Sequence, residues 1–369
     1  MKVLVTGAKG FIGRNLCVQL QSEGHEIFQY DQNNTMTELT SMIKEVDFIF
    51  HLAGINRPEK TEDFYRGNSD LTKTMIELLE NSNRKIPILL SSSIQAALEN
   101  DYGKSKFQAE DHVFQYGVRN GVSCYIYRLA NVFGKWSRPN YNTVIATFCY
   151  KISHNKSVEI HDSSKEISFV YIDDVVESFI SCLKIPVIKE KYLEVTPVYT
   201  KTLQVVVDLL YGYKKSRENF EIIRTDDEFS KKLYSTYLSF LEEDDFSYSL
   251  INHKDDRGSF SELFKGDSFG QVSINISKPG ITKGNHWHHT KIEKFVVVKG
   301  TALICFRKLE EKKVIEYKVD GNDMKVVDIP PGYTHSIVNI GEEDLVTVIW
   351  ANELFNPEKP DTYYLEVEE

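Results

Sequence analysis

The sequence has neither the cysteine pattern of a disulfide-bonded protein nor a long apolar run. Its five cysteines are odd in number and scattered, with no Cys-x-x-Cys pair. This pattern predicts reduced thiols in a cytoplasmic protein. No apolar stretch approaches the ~20 residues that a helix needs to span a bilayer, so we expect no membrane insertion. Met1 and Lys2 run directly into a strand-like segment, which argues against a signal peptide.

Positive charge is in deficit as well. The chain has 44 Lys and Arg against 54 Asp and Glu, a formal net charge of -10. This balance argues against a general nucleic-acid binder, although it leaves room for a local basic pocket that binds phosphates. The 369 residues are 41% hydrophobic and 27% charged, which is typical of a globular chain, and two domains are the default at this length.

The N-terminal segment has the pattern of a dinucleotide-binding strand, turn and helix. A short buried strand, 2–6, stops at a glycine-rich turn, and a helix then opens near Asn15. One glycine allows the tight turn, one lets the backbone approach a pyrophosphate, and one packs the helix against the strand. The predicted cofactor-binding residues of this turn are Gly7, Lys9, Gly10, Phe11, Ile12 and Gly13.

The nature of the cofactor depends on three side chains. Asp31 ends the second predicted strand, 26–30, where an NAD site has its ribose-binding acid. Lys9, with Arg14 as a second candidate, could instead pair with the 2′-phosphate of NADP. Alternatively, Asp31 only caps the next turn and Lys9 is only a solvated side chain. Of the two cofactors, we favour NADPH.

Strand-like and helical segments alternate through the first half of the chain. Further strands are predicted at 47–52, 86–90 and 123–127, with helices at 39–45, 69–79 and 102–119. This alternation predicts an α/β Rossmann-like fold with a doubly wound parallel sheet. The small residues Ala53 and Gly54 end one strand and would let the cofactor lie against the edge of the sheet.

The catalytic candidates of this half are Ser93, Tyr102 and Lys106. Ser93 ends a strand, and Tyr102 and Lys106 share one face of the following helix because they are four residues apart. A phenol near an ammonium is expected to have a lowered pKa, which suits proton donation to a carbonyl that receives hydride. The alternative is a surface helix with an ordinary tyrosine and lysine.

Two further segments are 128–134 (Arg-Leu-Ala-Asn-Val-Phe-Gly) and 169–175 (Phe-Val-Tyr-Ile-Asp-Asp-Val). Together with the motifs above, they resemble the extended short-chain dehydrogenase/reductases over roughly residues 1 to 240. The resemblance implies that Ser93, Tyr102 and Lys106 are the catalytic triad, that the substrate is a nucleotide sugar, and that Asn131 lies near it. Ile94-Gln95 stand where the dehydratases of that family carry an Asp-Glu pair. Reduction is therefore expected and dehydration is not.

The character of the chain changes after the acidic run 242–245. Helical, charged sequence from about 200 gives way to many short strands with glycine turns. This predicts an all-β barrel or jelly roll. We place the domains at 1–246 and 247–369.

Histidines cluster in the second half. His286 and His288 are spaced to share one face of an extended chain, Glu293 leads into a strand, and His335 follows a turn. Neutral imidazoles and a carboxylate suit a divalent transition metal. All four could close a metal site, or three could leave one position open. The alternative is an exposed polar hairpin with incidental histidines.

Two motifs here resemble those of the cupins, 280–300 and 330–339, with Met324 in place of an expected glycine. The resemblance implies that His286, His288, Glu293 and His335 bind a metal. Zinc suits this ligand set and has no redox chemistry, and iron or manganese is the alternative. The segment 256–264 resembles the opening of the cupin-fold dTDP-sugar 3,5-epimerases, which implies a substrate contact for Arg257. In those enzymes the catalytic histidine follows a Gly-x-His element, so His286 is either a ligand or a base.

The combination of both halves resembles the bifunctional capsular polysaccharide enzymes of CapF type. The resemblance implies C3 epimerisation of a UDP-4-keto-6-deoxy-HexNAc in the cupin, followed by NADPH-dependent reduction to a UDP-2-acetamido-2,6-dideoxy-L-talose type product, on the route to UDP-N-acetyl-L-fucosamine. A homodimer is expected, with no nucleic-acid partner. The base stays open among Tyr333, Lys291, His289 and His286. The rival hypothesis makes the cupin only a metal-stabilised dimerisation or substrate-binding module.

Overall fold

The computed structural model describes residues 1–160, 162–184, 192–224, 226–309 and 311–368. They form two compact units. The first comprises Met1–Tyr211 and Thr225–Glu243, and the second comprises Gly212–Arg224 and Asp244–Glu369. The second unit therefore begins next to the acidic run, but it also includes a segment from before that run. The division of activities at residue 246 stays a prediction.

A five-stranded parallel sheet in the order β2-β1-β3-β4-β5 is the centre of the first unit. Its strands are β1 (Lys2–Thr6), β2 (Glu26–Tyr30), β3 (Phe48–His51), β4 (Ile88–Ser93) and β5 (Cys124–Leu129). Strands β1 and β3 are nearly continuous apolar runs because both faces are buried, whereas the edge strand β2 is partly exposed. The strand order reverses between β1 and β3, where ligands of such sheets bind. The predicted doubly wound fold is confirmed.

Helices with recognisable end signals connect these strands. Thr35 and Glu38 form a reciprocal capping box at the start of α2, and Asn100 Oδ1 accepts the Gly103 N–H at 2.8 Å at the start of α5. A π-helical segment, Tyr65–Asp70, precedes α4, and a 3₁₀ turn, Ile94–Ala97, precedes α5. The helices are α1 (Phe11–Ser22), α2 (Met36–Ile43), α3 (Glu62–Phe64), α4 (Leu71–Asn81), α5 (Asp101–Asn120), α6 (Val144–Ser153) and α7 (Ile172–Ser181).

A smaller sheet joins β6 (Asn131–Phe133), β7 (Glu166–Tyr171) and β8 (Tyr199–Thr202). Helices α8 (Leu203–Asn219) and α9 (Glu228–Leu238) follow. The expectation that the chain is helical from about 200 was wrong at its start, because residues 199–202 form strand β8. They pair antiparallel with β7. A distant partner strand, rather than local preference, decides this segment.

Two antiparallel sheets form the second unit, in the orders β16-β13-β18-β11-β10-β9 and β15-β14-β17-β12-β19. Apolar side chains such as Phe295, Ile304 and Ile337 form its core. The predicted all-β cupin fold is confirmed. The strands are β9 (Asn252–Asp255), β10 (Gly258–Gly266), β11 (Gly270–Ser277), β12 (Thr282–Trp287), β13 (Glu293–Lys299), β14 (Thr301–Lys308), β15 (Val314–Asp320), β16 (Val326–Ile329), β17 (Tyr333–Asn339), β18 (Leu345–Ala351) and β19 (Tyr363–Tyr364).

All five cysteines are free thiols, and four of them are buried. Across the described residues, the helices are too short or too polar to cross a membrane.

Candidate active site and metal centre

The glycine turn after β1 is built for close approach. Gly7 has φ +67°, and a Cβ placed on it would lie 2.8 Å from the Ala53 nitrogen. A Cβ on Gly13 would lie 2.1 Å from the Gly7 carbonyl oxygen. Helix α1 begins directly after Gly10, and no side chain caps its first N–H groups. The turn therefore fits a pyrophosphate, which would meet bare backbone at a helix N-terminus.

A cavity of about 670 Å³ opens above this turn. It brings together the glycine turn and the predicted catalytic residues, as expected for the carboxyl edge of a parallel sheet. Of the predicted cofactor, catalytic and substrate residues, those lining the cavity are Gly7, Lys9, Gly10, Phe11, Ile12, Gly13, Gly54, Ser93, Tyr102, Lys106 and Asn131.

Asp31 and Ala53 support the turn through local contacts. The Asp31 carboxylate accepts the Lys9 N–H at 2.7 Å and the Gln32 N–H at 2.8 Å. The Ala53 N–H donates to Thr6 Oγ1 at 3.2 Å. Arg14 stacks on Trp136, with its guanidinium carbon 4.4 Å from the ring centroid. Because part of the Asp31 acceptor capacity already serves the turn, its availability to a ribose is reduced.

Burial shifts the pKa values of the two predicted catalytic residues, Tyr102 and Lys106, and for Tyr102 the shift is opposite to the expected one. Burial raises the pKa of Tyr102, and the Ser93 hydroxyl only partly opposes this effect. The prediction of a lowered Tyr102 pKa was therefore wrong for this structure. Burial also lowers the pKa of Lys106 to about 8, with the Glu110 carboxylate opposing. The Lys106 ammonium donates to the Ser91 carbonyl at 3.3 Å, and the Tyr102 hydroxyl to Asn56 Oδ1 at 3.3 Å.

A buried carboxylate that sequence reasoning missed lies behind the triad. Glu110, 1% exposed, accepts the Ser92 hydroxyl at 2.5 Å and two N–H groups of Arg128 at 3.0 and 2.7 Å. It stands one helical turn after Lys106, so both occupy one face of α5. That four-residue spacing was the available signal.

Sequence reasoning also missed a hydrogen-bond network around His51, close to Lys106. His51 contacts Thr6 Oγ1 at 2.7 Å and Thr72 Oγ1 at 2.9 Å, and Thr72 donates to the Asn68 carbonyl at 2.6 Å. Burial, helped by the charge of Lys106, lowers the pKa of His51 to about 3, so the ring is neutral. A Cβ on Gly54 would lie 2.7 Å from Asn68 Oδ1 and 2.9 Å from Lys106 Nζ. The small residue at 54 therefore makes room for both groups.

The four predicted metal ligands come together in the second unit. One ligand atom from each of His286, His288, Glu293 and His335 lies within 4.8 Å of the others. His286 lies on β12, His288 follows that strand, Glu293 opens β13 and His335 lies on β17. The group is therefore held by both sheets.

Three imidazole nitrogens of this cluster lack a hydrogen-bond partner. His288 Nε2 and both ring nitrogens of His335 are buried and make no hydrogen bond. Glu293 Oε2 lies 3.4 Å from Nε2 of each ring. Burial of unpaired polar atoms is costly, so the arrangement fits a divalent cation that supplies the missing partner.

The protonation states of Glu293 and His286 are those that binding of a cation requires. Burial by itself raises the pKa of Glu293, but the facing His288 and His335 rings outweigh it and hold the pKa below its usual range. Burial, together with His335, lowers the pKa of His286 to about 4. At neutral pH Glu293 is therefore a carboxylate and His286 a neutral imidazole, which are the ligand forms of these groups.

The other residues considered at this site have separate roles. The Arg257 guanidinium is bound by Asp255 at 2.6 Å in the exposed turn between β9 and β10. The Lys291 ammonium donates to the Pro360 carbonyl at 3.0 Å and Thr362 Oγ1 at 2.9 Å. The His289 ring packs edge-on against Trp287 and Tyr363, which stack on each other.

Tyr333 and Lys283 complete this set. Tyr333 packs against the apolar core. Sequence reasoning missed Lys283, whose ammonium donates to the buried Asn275 Oδ1 at 2.7 Å and to the Ile276 carbonyl at 3.0 Å. Its position three residues before His286 was the available signal.

Comparison with known proteins agrees with this geometry. Residues 3–192 match the NAD dependent epimerase/dehydratase family, and residues 253–363 match the polysaccharide biosynthesis C-terminal domain. The chain is 46% identical over 370 residues, 100% of both chains, to the UDP-2-acetamido-2,6-beta-L-arabino-hexul-4-ose reductase of Pseudomonas aeruginosa. It is 31% identical over 123 residues to the spore coat polysaccharide biosynthesis protein SpsL of Bacillus subtilis, covering 30% of this chain and 81% of that protein.

Solved structures match over nearly the whole chain. The crystal structure of the capsular polysaccharide assembling protein CapF from Staphylococcus aureus is 48% identical, with a TM-score of 0.93, and the match covers 99% of this chain and 100% of that one. A CapF structure with the inhibitor 3-isopropenyl-tropolone is 46% identical, with a TM-score of 0.89 and the same coverage. The chain therefore belongs to the NAD-dependent epimerase/dehydratase family of enzymes, in its CapF-type branch.

Proposed function

We propose that this chain is a UDP-keto-sugar reductase of nucleotide-sugar biosynthesis that also epimerises its substrate. The observation that carries the reductase is the cavity in which Ser93, Tyr102 and Lys106 face the glycine turn. The full-length relative named as a UDP-hexulose reductase supports the substrate class. A nicotinamide cofactor, which we propose to be NADPH, supplies the hydride when bound.

The protein groups of the first site handle the proton. Tyr102 donates its phenolic proton to the carbonyl oxygen as that oxygen becomes an alkoxide, and Ser93 hydrogen-bonds the same atom. Because burial raises the pKa of Tyr102, the phenol is fully protonated at neutral pH and ready to donate. Lys106 places a positive charge beneath the cavity, which favours the developing oxyanion. Asn131, whose amide donates to the Ser168 carbonyl at 3.2 Å, orients the sugar.

The second site is proposed to invert C3 of a UDP-4-keto-6-deoxy-HexNAc before reduction. His286, His288, Glu293 and His335 would hold zinc, which supplies positive charge where enolate charge develops. The C3 proton is acidic only while the C4 ketone persists, so epimerisation precedes reduction to the UDP-2-acetamido-2,6-dideoxy-L-talose type product.

Two side chains remain as proton acceptors in this proposal. Lys291 is occupied by the C-terminal segment, Tyr333 packs in the core, and the His289 ring packs against Trp287 and Tyr363. Lys283 reaches the buried face of β11 through Asn275, and His286 is a neutral imidazole. His286 cannot accept a proton through a nitrogen that binds metal, because coordination occupies its lone pair. The Lys283 ammonium also has protein partners, but burial lowers its pKa and so favours the neutral amine that can accept a proton, and we therefore favour Lys283.

A crossover of two variants tests the proposal. Tyr102→Phe is expected to lose reduction by 10²–10⁴-fold and still exchange the C3 proton with deuterated water. His288→Ala is expected to lose exchange and still reduce a pre-epimerised ketone. NADPH oxidation and NMR of the UDP-keto sugar measure the two activities separately.

Matched controls are available in each unit. Tyr65→Phe removes a hydroxyl that donates to Asp101 at 3.1 Å, and His253→Ala removes an exposed imidazole on β9. Both are expected to keep both activities. If folded His288→Ala still exchanged the C3 proton, the rival role of the cupin as a metal-stabilised dimerisation or substrate-binding module would replace the epimerase.

A further inference from the structure

The C-terminal segment 360–367 lies against the loop that carries the metal ligand His288. Its short strand β19 pairs with the end of β12, where Tyr364 is opposite His286 and Tyr363 is opposite Trp287. The Leu365 N–H donates to the Asn285 carbonyl at 2.9 Å. The segment thus extends the sheet that carries two of the four ligands.

Asp361 makes a contact that determines the tautomer of His288. Its backbone carbonyl lies 2.6 Å from His288 Nδ1. A carbonyl oxygen can only accept, so Nδ1 carries the proton and Nε2 carries the lone pair. Nε2 is the nitrogen that faces Glu293 at 3.4 Å and lacks a hydrogen-bond partner. The segment therefore presents His288 in the form that binds a metal.

The Asp361 side chain fixes the loop that follows His288. Its carboxylate accepts three successive backbone N–H groups, from His289 at 3.0 Å, Thr290 at 2.9 Å and Lys291 at 2.9 Å. Asp361 has φ +41°, a conformation that a side-chain-bearing residue rarely adopts. Contacts on both sides hold the residue there, which is typical of a functional position.

Buried polar side chains anchor the rest of the segment. Arg307, 6% exposed, donates to the carbonyls of Val367 at 2.9 Å and Glu366 at 2.8 Å. Thr334, which precedes the ligand His335, donates to the Leu365 carbonyl. A loose terminus would not have these partners.

We propose that the C-terminal segment is a working part of the metal centre, and that Asp361 is the residue that positions His288 for coordination. This inference rests on the proposed metal site. It assigns to residues outside the ligand set a share of the metal affinity. Loss of the Asp361 carboxylate would remove the three N–H contacts that fix this residue against the loop 289–291. Its backbone carbonyl would then no longer be held against His288 Nδ1, and the ring would be free to turn away from the other ligands.

The test uses the full-length protein and Zn²⁺ alone. Asp361→Ala is expected to weaken Zn²⁺ affinity about 10–100-fold, measured by competition with a chromophoric chelator. Asp361→Asn tolerates positive φ and keeps one acceptor oxygen, so it should recover part of that loss. Glu358→Ala removes an exposed carboxylate two residues before this segment and serves as the control, with unchanged affinity expected.

A spectroscopic measurement separates positioning from general stability. The visible absorption of bound Co²⁺ reports ligand geometry, and it should change in Asp361→Ala but not in Glu358→Ala. Equal affinity and equal Co²⁺ spectra for wild type and Asp361→Ala would overturn the inference while leaving the metal site intact. A wild-type protein that binds neither ion would instead overturn the metal site itself, and the inference with it.

Discussion

The two sites treat buried charge in opposite ways. In the first unit, Lys106 and Glu110 are both buried, and each finds its partners within the chain. In the second unit, His288 and His335 leave three ring nitrogens without a hydrogen bond. The buried charges of the first site are therefore paired without any ligand. We propose that the polar groups of the second site are fully paired only when a cation occupies it.

The residues of the two sites are also distributed differently along the chain. Ser93, Tyr102, Lys106 and Glu110 lie within 18 residues of one another, on one strand end and one helix. The metal cluster draws on β12, β13 and β17, and the C-terminal segment supports it. Local geometry makes the first site, whereas tertiary pairing makes the second.

The largest expected effect tests whether burial of Lys106 serves catalysis. Lys106→Met should reduce kcat for ketone reduction by about 10²–10⁴-fold. It should also raise stability at pH 7, by at most about 3 kcal/mol, because the wild-type pKa is lowered from 10.5 to about 8. Chemical denaturation and NADPH oxidation measure the two effects.

The pH dependence of this stability gain has a defined sign. Between about pH 8 and 10.5 the unfolded wild-type chain binds more protons than the folded one. Wild-type stability therefore rises with pH in this window, and the advantage of the variant should shrink there. A variant that is equally active, or a gain that grows with pH, would contradict the role of Lys106.

Removal of the metal tests the other half of the comparison. A chelator should destabilise the second unit by about 4 kcal/mol relative to protein with Zn²⁺ at 1,000 times its Kd. Hydrogen exchange should speed up in β12, β13 and β17 and stay unchanged in β1 and β4. If the chelator increased hydrogen exchange equally in both units, the proposed difference between the two sites, one paired within the chain and one dependent on a cation, would be wrong.

A smaller effect is expected from the buried carboxylate of the first site. Glu110→Gln should destabilise the protein by about 3 kcal/mol, because it leaves Arg128 without its charged partner. It should also move the alkaline decline of kcat/KM to lower pH, since Glu110 raises the pKa of Lys106 and the protonated form is the active one.

The control for this variant is an exposed ion pair. Glu80→Gln, which breaks the pair with Arg119, should change stability by less than about 1 kcal/mol. An unshifted pH profile in Glu110→Gln would show that this carboxylate has only a structural role.

The N-terminal fold was predictable because its signals are local. The glycine turn, the buried strands and the Tyr102–Lys106 spacing each occupy a short stretch, and the structure places them at one cavity. Strands β9, β10, β12 and β19 were not predicted, since their sequences are polar or glycine-containing. They become strands only through pairing, as β19 does with β12.

Electrostatics was the least predictable feature. The spacing of Tyr102 and Lys106 suggested a lowered phenol pKa, but burial raises the pKa of Tyr102 and lowers that of Lys106. The depth of a side chain depends on everything packed around it, and sequence spacing carries little of that information.

The predicted homodimer stays a prediction.

The sequence by itself determined the two fold classes, the glycine turn and the candidate residues of the triad and of the metal site, because these features depend on residue type and on motif spacing. Tertiary structure alone decided which buried groups are paired. It paired Glu110 with Ser92 and Arg128, and it placed Asp361 against His288, across 73 residues of chain in the second case. Such contacts depend on how strands meet in space, and no local pattern records them.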